Sequence, residues 1–348
     1  MKTGITDASP AKDRNAGPEL ARIRPDGSSM AGKRREVDGI LLLDKPRGRS
    51  SNQALGRVKY LLQAKKAGHT GALDPRATGL LPLCFGQATK VSGWLLDADK
   101  RYIAEARLGV ETDSADLDGA VIREAVVPEI APATLRELEQ RFSGEQAQVP
   151  PMVSALKHQG RRLYELARQG MEVDRPPRAV RIHFLGIEQT APDRLRLEVH
   201  CSKGTYIRSL VADIGHALGC GAAVDTLHRV GHGHFDASAM VSLEAIEAAF
   251  AAGGAAAIEA LLQPAETALA HWPAVTLDAA ASAAMRHGNP AGAEAVLAQS
   301  PGAPDAPLEA DTGWSLVRIF DADRRFLAVG VRDDQGQIRA RRLFVPAA

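Results

Sequence analysis

Cysteine is scarce in this 348-residue chain: there are three, Cys84, Cys201 and Cys220, and no two stand in a C-x-x-C spacing. That excludes a disulfide framework, fits a reducing cytoplasm, and leaves the three thiols to serve as small core residues. Long apolar runs are missing too. No stretch reaches the roughly eighteen apolar residues that span a bilayer, and the N-terminus lacks the apolar segment of a secretion signal, so a soluble, cytoplasmic protein is expected. A charge excess of either sign is also absent, with a formal net charge of +1 and a pI of about 7.8. Taken alone, that balance indicates no polyanionic partner. Neither a phosphate-cradling GxxxxGK[ST] loop nor an internal repeat occurs.

What is present is ordinary globular composition, 45% hydrophobic and 24% charged, in a chain long enough for two domains with real cores. The charge is unevenly spread. Net charge runs +2 over residues 1–38, +7 over 39–109, −6 over 110–150, +3 over 151–240 and −5 over 241–348. A local positive field of that size can hold a phosphate backbone in a protein that is neutral overall, although a solvated charged face gives the same count.

The most basic segment contains KAGHTGALDPRATGLLPLCFGQATK, residues 66–90. Gly68, Gly71 and Gly79 give backbone freedom, while Pro75 keeps Asp74 out of the helical region, so an ordered loop is expected to enter buried structure through Leu80, Leu81, Leu83 and Phe85. Asp-Pro is by itself a common turn starter, and on that pair alone Asp74 is a turn residue. The full string is more specific. GHTGALDPRATGLL, with His69, Thr70, Ala77 and Pro82, resembles the catalytic motif of the pseudouridine synthases, in the TruB branch that modifies the T-loop uridine of tRNA.

The resemblance runs from about Gly39 to Val241 and implies several expectations. Fold class would be α+β: a mixed, largely antiparallel sheet with flanking helices over 39–265, followed by a small β-rich PUA-like domain over 266–348. Asp74 would be the catalytic nucleophile, paired with the Arg208 of KGTYIRSL, and either C1′ of the ribose or C6 of the base is open to attack. Tyr102, after Asp99-Lys100-Arg101, would stack on the target base and take its C5 proton. His69 would fill the gap left by a flipped base, Tyr206 would wall the pocket, Leu227 would touch the base, and Lys45 joins the substrate-binding set. Residues 149–178, with Arg161, Arg162, Arg168 and Tyr164, would form an RNA-gripping insertion. The T-arm of tRNA is the expected partner of a monomer that needs no cofactor, guide RNA or protein subunit. An RNA-binding factor with a merely structural loop, or a glycoside hydrolase with paired carboxylates, would be the alternatives; the motif offers the latter no second acid.

Local patterns supply the rest. Residues 1–38 read as a mobile basic tail. Gly39–Leu43 reads as a buried strand, and Ser51 as the cap of a helix with Leu55, Val58 and Leu62 inward. Tyr102, Ala104, Ala106 and Leu108 alternate with Ile103, Glu105 and Arg107, and Leu195, Leu197, Val199 and Cys201 with Arg194, Arg196, Glu198 and His200, so both segments predict half-buried strands. Ile207, Leu210, Val211 and Ile214 predict a helix that Gly219 stops, with Arg208 placed against the helix dipole in the first turn. Asp113, Asp116 and Asp118 fail the spacing of a calcium loop and read as turn caps. His216, His228, His232 and His234 lack a recognisable zinc spacing, so no metal is expected. Ala251–Ala257 reads as a flexible break after a helix opened by Ser242.

Overall fold

The computed structural model describes residues 34–152, 157–158, 161–162, 169, 171, 173–302, 308–309 and 312–344. In chain order the first body begins with β1 (Gly39–Lys45), α1 (Ser51–Leu62), β2 (Ala67–His69), β3 (Thr78–Phe85), α2 (Ser92–Asp97) and β4 (Lys100–Leu108). A hairpin of β5 (Val110–Thr112) and β6 (Val121–Glu124) follows, then α3 (Pro132–Phe142), β7 (Gly144–Gln148) and a second hairpin of β8 (Lys157–His158) and β9 (Arg161–Arg162). Next come β10 (Arg178–Ala191), β11 (Arg194–Cys201), α4 (Ile207–Ala217), β12 (Ala222–His232), β13 (Phe235–Asp236), β14 (Val241–Ser242) and α5 (Leu243–Glu259). The second body holds β15 (Ala274–Leu277), α6 (Ala279–Arg286), β16 (Val296–Ser300), β17 (Ser315–Phe320), β18 (Phe326–Arg332) and β19 (Ile338–Leu343).

The large sheet has the order β14-β1-β3-β12-β4-β11-β10-β7, with β2 on β3 and β13 on β12. Its pairs are antiparallel except β1 with β14 and β3 with β12, so the protein is α+β with a mixed sheet. The period-2 pattern of β4 does what it predicts: Tyr102, Ala104, Ala106 and Leu108 are buried and Arg101 and Glu105 exposed. Where β3 meets β12, Gly79 has φ +98°, and a Cβ there would overlap the Arg229 carbonyl oxygen. Only glycine allows that approach.

One face of the sheet, through Leu41, Leu43, Leu81 and Leu83, packs on Val58, Leu62, Ile246 and Ile258 of the helices. The reverse face of β1 and β3, through Ile40, Leu42, Leu80 and Cys84, packs on Trp272, Leu316, Val329 and Phe344 of the C-terminal body. Burial of each such side chain contributes roughly 1.5–3 kcal/mol. The C-terminal body is a five-stranded sheet of order β16-β15-β17-β18-β19, with a core of Val275, Leu277, Met285, Ile319 and Ile338. Among the described residues no helix is long and apolar enough to cross a membrane.

Three local expectations change. Ser50, not Ser51, caps α1, accepting from the Gln53 backbone in a reciprocal capping box, because Ser51 already lies in the helix and its hydroxyl turns inward. The break expected over 251–257 is present but narrower: only Gly253 and Gly254 leave helical geometry, Gly254 at φ +64°, so two helical segments meet at a kink within Leu243–Glu259. The folded body also begins before residue 39, since Arg35 bridges to Ala64 and Val37 is buried. Residues 1–33, and Tyr164 and Arg168 of the expected RNA grip, lie outside the described residues.

Candidate active site

Asp74 stands in the connection between β2 and β3, and the surrounding chain fixes that loop from three directions. The Ser51 hydroxyl accepts from the Leu73 N–H at 2.8 Å and donates to the Leu73 carbonyl at 3.1 Å. From below, the Lys45 ammonium donates to the carbonyls of Pro46 at 2.8 Å, Arg49 at 2.7 Å and Pro75 at 3.4 Å. On the far side Arg76 donates to the Asp225 carbonyl at 2.7 Å and to its carboxylate at 2.9 Å. Arg194 and Arg76 together hold the Asp225 carboxyl below its ordinary range. Each such bond contributes about 0.5–1.5 kcal/mol, and their joint effect is to deny the loop other conformations.

Arg208 then meets the aspartate. Its Nε lies 2.9 Å from Asp74 Oδ2 and 3.8 Å from Asp116 Oδ2, and its Nη1 donates to the Ser114 carbonyl at 2.8 Å. The cation at the start of α4 therefore has the anion that its place against the helix dipole requires. The Asp-rich loop is its second support. Asp116 accepts from the Ser114 hydroxyl at 2.7 Å and the Asp118 N–H at 3.1 Å, while Asp113 accepts from the Ala120 N–H at 3.0 Å. Ala115, in the left-handed region at φ +60°, turns the backbone so that the Ser114 carbonyl faces Arg208.

A cavity of about 440 Å³ opens on this pair, and its wall includes Asp74, Tyr102, Tyr206, Arg208 and Leu227. These five expected site residues thus come together from three elements, β4, α4 and β12, and from two connections that carry Asp74 and Tyr206. His69 ends β2 half-buried, and burial together with Arg229 lowers its pKa, so its imidazole is neutral near pH 7. Lys45 is placed differently from a group that meets substrate. It is fully buried under the loop, its protons are directed at backbone carbonyls, and burial brings its pKa down to about 8. Arg161 and Arg162 lie on β9, in register with His158 and Lys157 of β8.

Several participants escaped the sequence reading. Lys100 and Arg229 also wall the cavity, both nearly inaccessible, and burial pushes Lys100 down to about 8. The alternation that puts Leu227 on the cavity puts Arg229 there as well, a signal present in VDTLHRV. Ser51, Arg76 and Asp225 gave no local signal, because their partners are distant in sequence. Of the four histidines, His232 is buried with Nε2 2.7 Å from the Leu95 carbonyl, and His228 Nδ1 lies 2.8 Å from the Thr78 hydroxyl. Among the described residues no cluster of three or more His, Cys, Asp or Glu could hold a metal ion. All three cysteines are free and buried.

A loop off a mixed sheet presents one carboxylate, backed by a buried guanidinium, to an aromatic-walled cavity, and this is the candidate active site. Comparisons with known proteins give it a family. The profile of the TruB family pseudouridylate synthase N-terminal domain matches residues 59–207, and two TruB C-terminal domain profiles match 208–270 and 273–344. The chain is 48% identical to the tRNA pseudouridine synthase B of Stutzerimonas stutzeri, over 89% of this chain and 96% of that protein. It is 50% identical to the protein of that name from Nitrosococcus oceani, over 88% and 95% of the two chains. Among solved structures it superposes on a chain of a Cbf5-Nop10-Gar1 complex with a TM-score of 0.68 and 25% identity, covering 96% of this chain and 93% of that one. The chain belongs to the TruB family of pseudouridylate synthases.

Proposed function

We propose that this protein is a tRNA pseudouridine synthase that isomerises the T-loop uridine 55, using Asp74 as nucleophile on a base flipped out of the RNA. The observation that carries the reading is the Asp74–Arg208 pair, presented to a cavity walled by Tyr102, Tyr206 and Leu227. The names borne by the relatives, tRNA pseudouridine synthase B, support the choice of RNA.

In this reaction the N1–C1′ bond breaks, the uracil turns, and a C5–C1′ bond forms. C5 gives up its proton and N1 gains one. Asp74 attacks C1′ or C6, and its carboxylate leaves again when the new bond is complete. Arg208 keeps the carboxylate aimed at the cavity. Tyr102 stacks on the free base and removes the C5 proton, while Leu227 and Tyr206 confine it. His69 occupies the gap in the RNA stack, which offsets the few kcal/mol that flipping costs. An isomerisation calls for no redox cofactor or nucleotide. The basic segment at 149–178, with Arg161 and Arg162, grips phosphates. The two sheets divide the work near residue 265, the C-terminal one acting as a PUA-like RNA-binding unit. The protein works as a cytoplasmic monomer without guide RNA.

Tritium release from C5-labelled uridine in unmodified tRNA tests this. The purified chain should release tritium without any guide RNA, and Asp74→Asn should release none while still binding the RNA. Binding without release by the unsubstituted chain would make it an RNA-folding factor instead.

A further inference from the structure

Behind Tyr102 the cavity wall is cationic. Arg229 of β12 is the register partner of Tyr102 on β4, so the two side chains leave the same face of the sheet side by side. Arg229 is 1% exposed and Tyr102 9%. The guanidinium is held rigidly: Nε donates to the Leu80 carbonyl at 2.6 Å and Nη2 to the Gly71 carbonyl at 3.1 Å. The guanidinium and the phenol both line the cavity, and the cation bears electrostatically on the phenol. Arg229 appears in no ion pair with a carboxylate among the described residues. A buried cation of this kind is costly unless a negative charge is to form beside it.

Resting on the reading above, we infer that Arg229 is a positioning residue that acts through Tyr102: it orients the phenol and stabilises the phenolate that removes the C5 proton. The step balances without an added reactant. The phenolate oxygen takes the proton from C5, and the electrons of the C5–H bond restore the C5–C6 double bond as the C6–N1 π pair withdraws onto N1, which takes a proton, or, where Asp74 had attacked C6, as its carboxylate leaves C6; the phenol returns its proton to solvent. The titratable groups bearing on Tyr102 are Arg229 on β12, the Cys201 thiol on β11 and Asp74 on the catalytic loop. Burial raises the phenol's pKa and Arg229 is the largest influence against it. The phenol stays above its ordinary range even so, and loss of the guanidinium would raise it further. Lys100, adjacent on the wall, spends its ammonium on the carbonyls of Leu96 at 2.7 Å and Ala98 at 2.5 Å, which leaves the phenol to Arg229.

The test is single-turnover pseudouridine formation on tRNA carrying protium or deuterium at C5 of the target uridine, with Arg229→Gln and Arg229→Lys. Melting temperature and RNA affinity are measured beside each rate. Arg229→Gln should slow the reaction about a hundredfold, within the range of a general base, and should raise the C5 deuterium isotope effect above that of the unsubstituted chain. Arg229→Lys, which keeps the charge, should recover part of both changes. Should Arg229→Gln not fold, Arg229→Lys decides alone: a slower reaction with a raised isotope effect supports the inference. Slowing with an unchanged isotope effect, or no slowing, overturns it by showing that Arg229 only supports the wall. Inactivity of the unsubstituted chain would instead refute the parent reading.

Discussion

Arg208 reaches Asp74 from the protein side: the guanidinium is 4% exposed, the carboxylate 42%, and 2.9 Å separates them. The cation is the fixed member and the carboxylate the presented one. A lysine cannot bridge Asp74 and the Ser114 carbonyl with one planar fork. Arg208→Lys should therefore reduce single-turnover pseudouridine formation by about a hundredfold, the cost of a small misplacement, while RNA affinity measured by filter binding stays within a few-fold. Unchanged turnover would show that the fork does not set the aim of Asp74.

Ser51 ties the helix start to the residue before Asp74. Ser51→Ala leaves the Leu73 N–H without its partner, at a cost of about 1–3 kcal/mol for a buried donor. Urea denaturation should show that loss. The rate should fall more steeply than the stability alone explains, because the missing bond borders the carboxylate. A loss of stability with full activity would mean the loop holds its shape without it.

Lys45 gives a pH signature. In the folded chain its pKa is lowered to about 8 from the ordinary 10.5, burial being the main cause. Between those values the unfolded chain binds the extra proton, so rising pH favours folding there and the gain is absent below pH 8. Lys45→Met removes this contribution. Denaturation at pH 7, 9 and 10 should show the native chain gaining stability relative to the variant as pH rises, and a constant difference would contradict the placement of that ammonium.

Burial pushes the Cys84 thiol up to about 11 and Cys201 up to about 12. Thiolate is the reactive form. Neither should be labelled by maleimide at pH 7.5 in the folded protein, whereas all three cysteines should react in guanidinium. Mass spectrometry of the labelled native chain settles the point, and rapid modification of Cys201 would show that β11 opens readily.

Much of the sheet was legible because its strands obey period 2: β4 and β11 carry their apolar residues on one face, and the chain alone gives both. The Asp74 loop was legible through its glycines and proline, and Arg208 through its odd place in a helix's first turn. The supports were not. Ser51 meets Leu73 and Arg76 meets Asp225 across sequence separations of 22 and 149 residues, and no local pattern records such a meeting. Ser51 was misread for a related reason, since two adjacent serines both suit a cap and only packing decides which one turns inward. Lys45 entered the substrate-binding set through the family resemblance alone; its burial under the loop depends on the turn at Pro46–Arg49, whose carbonyls it gathers.

The C-terminal body shares its apolar cluster with β1 and with β3, the strand that follows the Asp74 loop. Neither half is a detachable module. A fragment cut after residue 265 would bare Ile40, Leu42, Leu80 and Cys84, so it would be expected to aggregate instead of yielding a minimal enzyme. Exchange of this unit between relatives would have to carry its seam with it. Any engineer grafting a new RNA specificity onto the chain must then keep Trp272, Leu316, Val329 and Phe344 as they are and vary only the outward strands.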